Sequence, residues 1–286
     1  MKKDRNAKGA PAVARGKKAE TQTLSPSRTA YLKRRKRDKI VVVFFRIFIL
    51  LFFLATWEIL ARTGIVDAFM FSSPSRVLLT LRSLRESGEL YTHVFTTLYE
   101  TVVGFLIATL VGSLISVVLW WSENVRKILE PYVVVLNALP KIALGPVIII
   151  AFGAGTGSII FMTFLVTVIV TVINMLNGFM QTDAGKILLL RSMGASKRDV
   201  LVNLVLPGSL PVFVSALKVN VGLSWIGSIM GEYVVSRQGI GYLIVYGGQV
   251  FQLDLVMTSI VILCILAALM YYCIAFLEKR ILRARG

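Results

Sequence analysis

Two rows of hydroxyl, amide and carboxyl side chains interrupt an otherwise apolar sequence. Thr163, Thr167, Thr171 and Asn174 are spaced by 4, 4 and 3 residues, and Asn220, Ser224, Ser228 and Glu232 by 4 throughout. Residues three and four apart share one face of a helix, so each row reads as a polar stripe on an apolar cylinder. Two such stripes facing one another would line a route for a polar solute through a hydrocarbon slab. The alternative is interhelical hydrogen bonding, for which Ser, Thr and Asn serve widely in lipid. Lys218 adds a cation 11 residues beyond Pro207, about 16 Å along a helix. An ionisable group at that depth is costly enough to suggest a function, although its long stem would also allow snorkelling. Glu232 falls at the far end of its stripe, where a gate, a docking group and plain interfacial exposure are all open readings.

A third pattern, Gly104, Ala108, Gly112 and Ser116 at every fourth position, is of another kind. Small residues at that spacing let a neighbouring helix approach closely in lipid, so this is a packing face. Bond-breaking chemistry finds no support. HExxH, CxxC and GxSxG patterns are absent, and the one histidine, His93, reads as interfacial. Cys264 and Cys273 lie nine residues apart in one apolar run, too far to bridge on a helix. No metal site or resident cofactor is expected. Without a G-x-x-x-x-G-K-[ST] loop, any ATP and its magnesium must be held by another chain.

The elements that position these residues follow from composition. Of 286 residues, 56% are hydrophobic and 16% charged, where a soluble domain carries about a quarter charged residues; mean hydropathy is +0.75. The net charge of +17 is concentrated, since residues 1–39 hold 14 Lys/Arg against 3 Asp/Glu. A basic block before a first apolar span reads as a cytoplasmic anchor that attracts anionic lipid, not as a nucleic-acid site. It is too long for a secretory signal, and its composition predicts a disordered tail.

Six spans are predicted, at about 40–61, 95–121, 132–152, 158–180, 210–234 and 254–277. The third is broken by Pro140, Lys141, Gly145 and Pro146, and its freed backbone groups need a protein neighbour or a water-filled cavity. A segment at 62–92 carries a short amphipathic stretch, 75–85, and 122–130 is a polar turn. An even span count places both basic ends on one side, together with Arg126, Lys127 and the loop after the fourth span.

That loop, 184–207, is amphipathic and punctuated. Gly194 is expected to end one helix in the left-handed conformation, Ser196 and Asp199 have capping-box spacing, and Pro207 is expected to stop the second helix. Gly194 followed by Leu204-Val205-Leu206-Pro207 resembles the G-x9-I-x-L-P half of the EAA loop, found in membrane subunits of binding-protein-dependent ABC importers. The family opens that loop with Glu-Ala-Ala; Leu188, Leu189 and Leu190 stand here instead. LNALPKIALGP at 136–146, FGAG at 152–155, WIGSIMGE at 225–232 and GIGYLI at 239–244 resemble permeases of the nitrate/sulfonate/taurine group. The likeness runs from about Trp57 to Leu277.

The resemblance implies an all-α polytopic membrane protein with six transmembrane helices and the type I ABC importer permease fold. It divides the chain into a tail (1–39), a first helix and outer segment (40–92), a transmembrane domain (93–277) and a basic end (278–286). The implied partners are an ABC ATPase subunit, an extracytoplasmic solute-binding protein that largely sets selectivity, a second permease copy, most simply a homodimer, and membrane lipid. Leu188, Leu189, Leu190 and Met193 would enter the ATPase groove, with Lys197 and Arg198 at the rim and Leu206 and Pro207 closing the loop. The expected location is a bacterial plasma or inner membrane with both termini cytoplasmic. A stand-alone channel or secondary transporter is the competing reading, for which this loop would be only an interfacial helix.

Overall fold

The computed structural model describes residues 26–283, which are helical and contain no strand. Expectations for residues 1–25 and 284–286 lie outside the described residues. The chain divides into two compact units, Met1–Thr56 and Trp57–Gly286. The first consists, where described, of the body of helix α1 (Pro26–Arg62). Helix therefore begins inside the segment expected as tail. Phe44, Phe48 and Phe52 stack at successive helical turns, with 6.1 Å between ring centroids. The apolar residues from Ile40 to Phe53 are exposed, and a helix apolar all round is of the kind that suits a membrane span.

In the second unit, the last turn of α1 leads through α2 (Ala68–Phe71) to α3 (Pro74–Glu86). The start of α3 is over-determined: Pro74 sits where no N–H is needed, and Ser73 accepts the Arg76 N–H. Glu58 of α1 accepts the Ser75 N–H at 3.0 Å and its hydroxyl at 2.9 Å. Then follow α4 (Glu89–Trp121), α5 (Glu123–Ala138) and, after a 3-10 turn at Lys141–Leu144, α6 (Gly145–Phe152). The segment expected as a polar turn after Ser122 is thus already helix, because Ser122 caps α5 by accepting the Val125 N–H. The third apolar region is broken where Pro140 predicts, its two arms meeting at 87°.

The remaining elements are α7 (Thr156–Met180), α8 (Ala184–Ser192), α9 (Lys197–Val200), α10 (Leu206–Val235), α11 (Ile240–Gln249) and α12 (Leu253–Arg283). Among the described residues five helices are long and apolar enough to cross a membrane, and six if the bent α5–α6 pair is one span.

At the centre, α7 is gripped between α4 and α10. Gly104 and Gly112 of α4 lie on Thr163 and Thr171 of α7, so close that added Cβ atoms would stand 2.5 and 2.7 Å from the threonine side chains. From the other side Gly227 of α10 meets the Thr163 backbone, where a Cβ would be 2.6 Å away. Close backbone approach lets many weak dispersion contacts form where lipid supplies no hydrophobic drive. Phe105, Val221, Trp225 and Ile274 then join α4, α10 and α12 in a second apolar cluster.

Candidate functional site

Between α7 and α10 the chain builds a compact loop, each joint of which has a local cause. Asp183 accepts the Gly185 N–H at 2.7 Å and starts α8. At its end Gly194 has φ +89°, the Ala195 N–H reaches back to the Leu190 carbonyl at 3.0 Å, and the Gly194 N–H to Arg191 at 2.9 Å. That pair of bonds is a Schellman motif, and it satisfies carbonyls that the helix end would leave orphaned. Ser196 and Asp199 then form the expected capping box, with bonds of 2.9 and 3.2 Å between each side chain and the other's N–H.

Pro207 does not stop the second helix. Leu201–Val205 form a π segment running into α10, and the Leu206 N–H bonds five residues back to Leu201. Widening the turn makes room for a ring that would clash with the fourth carbonyl back. Lys197 to Val235 is consequently one 39-residue helix.

The loop presents Leu188, Leu189 and Met193 outward, at 67, 61 and 76% exposure. Arg198 and Leu206 are also exposed, and Pro207 is half-buried. Two residues expected at the ATPase contact also touch the bundle. Leu190, half-buried, packs with Ile187 and Ala195 on the cluster of Met175, Phe179, Val200, Leu201, Val205 and Ala216, because the Schellman closure turns that flank inward. Lys197 reaches its own α4, with Nζ donating to the Trp121 carbonyl at 2.5 Å.

The polar stripes do face one another. Thr167 Oγ1 lies 3.2 Å from Ser224 Oγ, and Asn220 Nδ2 donates to Thr171 Oγ1 at 2.9 Å and to Thr109 Oγ1 at 3.2 Å. Thr163, Thr167, Thr171, Asn220, Ser224 and Ser228 have no exposed surface, and Asn174 is half-buried. Within this chain the stripes form a buried seam, hydrogen-bonded across at Thr167–Ser224 and Thr171–Asn220. The expected packing face completes it: Ala108 and Ser116 are fully buried, and the Ser116 hydroxyl donates to the Gly112 and Val172 carbonyls at 2.8 and 3.1 Å. Lys218 is paired with Glu278 of α12, Nζ to Oε2 2.5 Å, both side chains half-buried.

Glu232 is neither a surface group nor free, at 1% exposure. With two residues of α4 it closes the start of α11. His93 Nδ1 accepts the Gly239 N–H at 2.9 Å, Thr97 Oγ1 the Ile240 N–H at 2.7 Å and Glu232 Oε2 the Gly241 N–H at 2.5 Å. Three orphan donors of one helix are thereby met by three side chains. Gly239 has φ +110°, which side chains rarely adopt, and a Cβ on Gly241 would stand 2.8 Å from Glu232 Cβ and 3.1 Å from the Ile229 carbonyl. His93, expected at the interface, is buried as part of this cap. Glu100, one turn along α4 from Thr97, is also 1% exposed and its carboxyl faces that of Glu232. Sequence reasoning passed over it, although a carboxylate inside an apolar span is itself a signal.

Comparison with known proteins identifies this architecture. Residues 104–284 match the family described as "Binding-protein-dependent transport system inner membrane component", and the chain belongs to it. It is 27% identical to the SsuC permease of Bacillus subtilis, named for aliphatic sulfonates transport, over 82% of this chain and 84% of that one. It is 32% identical to the formylaminopyrimidine transport permease ThiX of Halalkalibacterium halodurans, over 67% of this chain and 77% of that one. In fold it is similar to an inward-facing structure of the MetNI methionine ABC transporter, with TM-score 0.58 and 24% identity over 67% of this chain and 94% of that one. The protein is a multi-pass ABC importer permease, and the channel or secondary-transporter alternative is not favoured.

Proposed function

We propose that this permease receives a separate ATPase on the knob formed by Leu188, Leu189 and Met193, and converts ATPase closure into alternating access for a solute delivered by an extracytoplasmic binding protein. The carrying observation is the exposure of three large apolar side chains on a loop whose backbone is fixed by two capping motifs. Exposed apolar surface on a rigid support is what a partner's groove takes up. ATP and its magnesium belong to that partner. Two copies of this chain frame the pathway, with the loop and both termini cytoplasmic. The buried seam serves transport by making α4, α7 and α10 move as one body, and the solute passes outside it, between the copies.

Co-expression with an ABC ATPase of the same organism tests the reading. The wild type should retain the ATPase through detergent purification, and L189D or M193D should release it, because the groove would bury an unpaired charge. Full retention by both variants would remove the loop from the interface.

A further inference from the structure

We propose that Lys197 transmits movement of the loop to the transmembrane bundle, by locking the start of α9 onto the joint between α4 and α5. The proposal rests on the importer reading and adds to it the residue through which coupling leaves the loop.

Lys197 is the first residue of α9, after the Ser196 cap. A cation there is locally unfavourable, since the start of a helix carries the positive end of its dipole. Its compensation lies 76 residues away in sequence, where Nζ donates to the Trp121 carbonyl at 2.5 Å. The same ammonium stands 5.9 Å from the Trp120 ring centroid and 5.7 Å from that of Trp121, within cation–π range. Trp121 ends α4, so its carbonyl is one of the four that a helix leaves without intrahelical partners, at the negative end of the dipole. Ser122, the next residue, caps α5. One side chain therefore ties α9 to the point from which two further helices depart.

Apolar contacts also join the loop to the bundle: Ile187, Leu190, Ala195 and Leu204 rest on the cluster around Phe179. Such contacts are non-directional and permit sliding. A charge-assisted hydrogen bond between two aromatic rings fixes direction. At the opposite end of α4, His93 and Thr97 hold the start of α11. A pull on Trp121 is thus delivered along one helix, about 50 Å long at 1.5 Å per residue, to the far face of the bundle.

The test uses the full importer, permease with ATPase and binding protein, reconstituted in liposomes. K197M should still bring down the ATPase but lose about tenfold in solute taken up per ATP hydrolysed, the scale of one charge-assisted hydrogen bond. K197R, which keeps the charge and can reach the carbonyl, should stay within about twofold of wild type. Spin labels at positions 123 and 198, in a background without Cys264 and Cys273, should give a narrow distance distribution in the wild type and K197R and a broad one in K197M. Wild-type uptake per ATP, or an unchanged distribution, in K197M overturns the proposal. If the wild type itself retains no ATPase, the ATPase-docking reading falls, and the distance measurement on the permease alone still decides the contact.

Discussion

Asn220 on α10 donates one hydrogen bond to Thr171 on α7 and a second to Thr109 on α4. A single amide thereby ties together the three helices at the centre of the protein. Hydrogen bonds within membranes contribute about 0.6 kcal/mol each on average. N220A should lower the detergent unfolding midpoint by a few degrees while the protein still inserts, as measured by fluorescence-detected gel filtration after heating. G112V should do far more, because a valine there would collide with Thr171, and its failure to give a monodisperse peak would mark steric contact as the dominant force.

Lys218 and Glu278 form an ion pair across α10 and α12. Removing one member leaves the other unpaired in a low-dielectric setting, whereas exchanging them retains the attraction. K218E or E278K alone should each reduce folded yield severalfold, and K218E/E278K should recover most of it. Equal yields for single and double variants would show that both groups reach water separately.

Gly194 needs its positive φ but has open space around it. G194V should therefore insert and fold yet lose ATPase retention, since β-branched residues rarely adopt that conformation. G194N, which tolerates the left-handed region, should keep most of it. L190D should fail differently: its charge would enter the cluster around Phe179, and unfolding should precede any loss of partner.

The topology is tested by cysteine labelling at Ser196 and Thr156 in a background without native cysteines. An impermeant maleimide added to intact cells should modify position 156 and spare 196. The opposite pattern would invert the protein in the membrane.

Much of this was legible in sequence, where the signal was local. Ser196 and Asp199, Gly194, and the break at Pro140 are set by a few neighbouring residues, and the structure has them as expected. The four-residue spacings placed Gly104, Ala108, Gly112 and Ser116 on one face correctly because helical periodicity is geometric. What escaped were relations across the fold. Neither the pairing of Lys218 with Glu278 nor the turn of Lys197 toward Trp121 has any trace in spacing. His93 seemed solitary because its partner is a backbone N–H 146 residues away. Pro207 was misjudged for a subtler reason: a proline ends a helix only if the preceding turn keeps its ordinary pitch, and this one widens.

That widened turn also sets a phase. Each residue of an α-helix advances the face by about 100°, so a helix that accommodates one extra residue at Leu201–Val205 presents its two ends on different bearings. The direction in which α9 meets the bundle is thus set first by a count of residues, and Lys197 then holds it there. A chain shortened by one residue in this stretch would keep its caps and its apolar knob, and would aim them elsewhere.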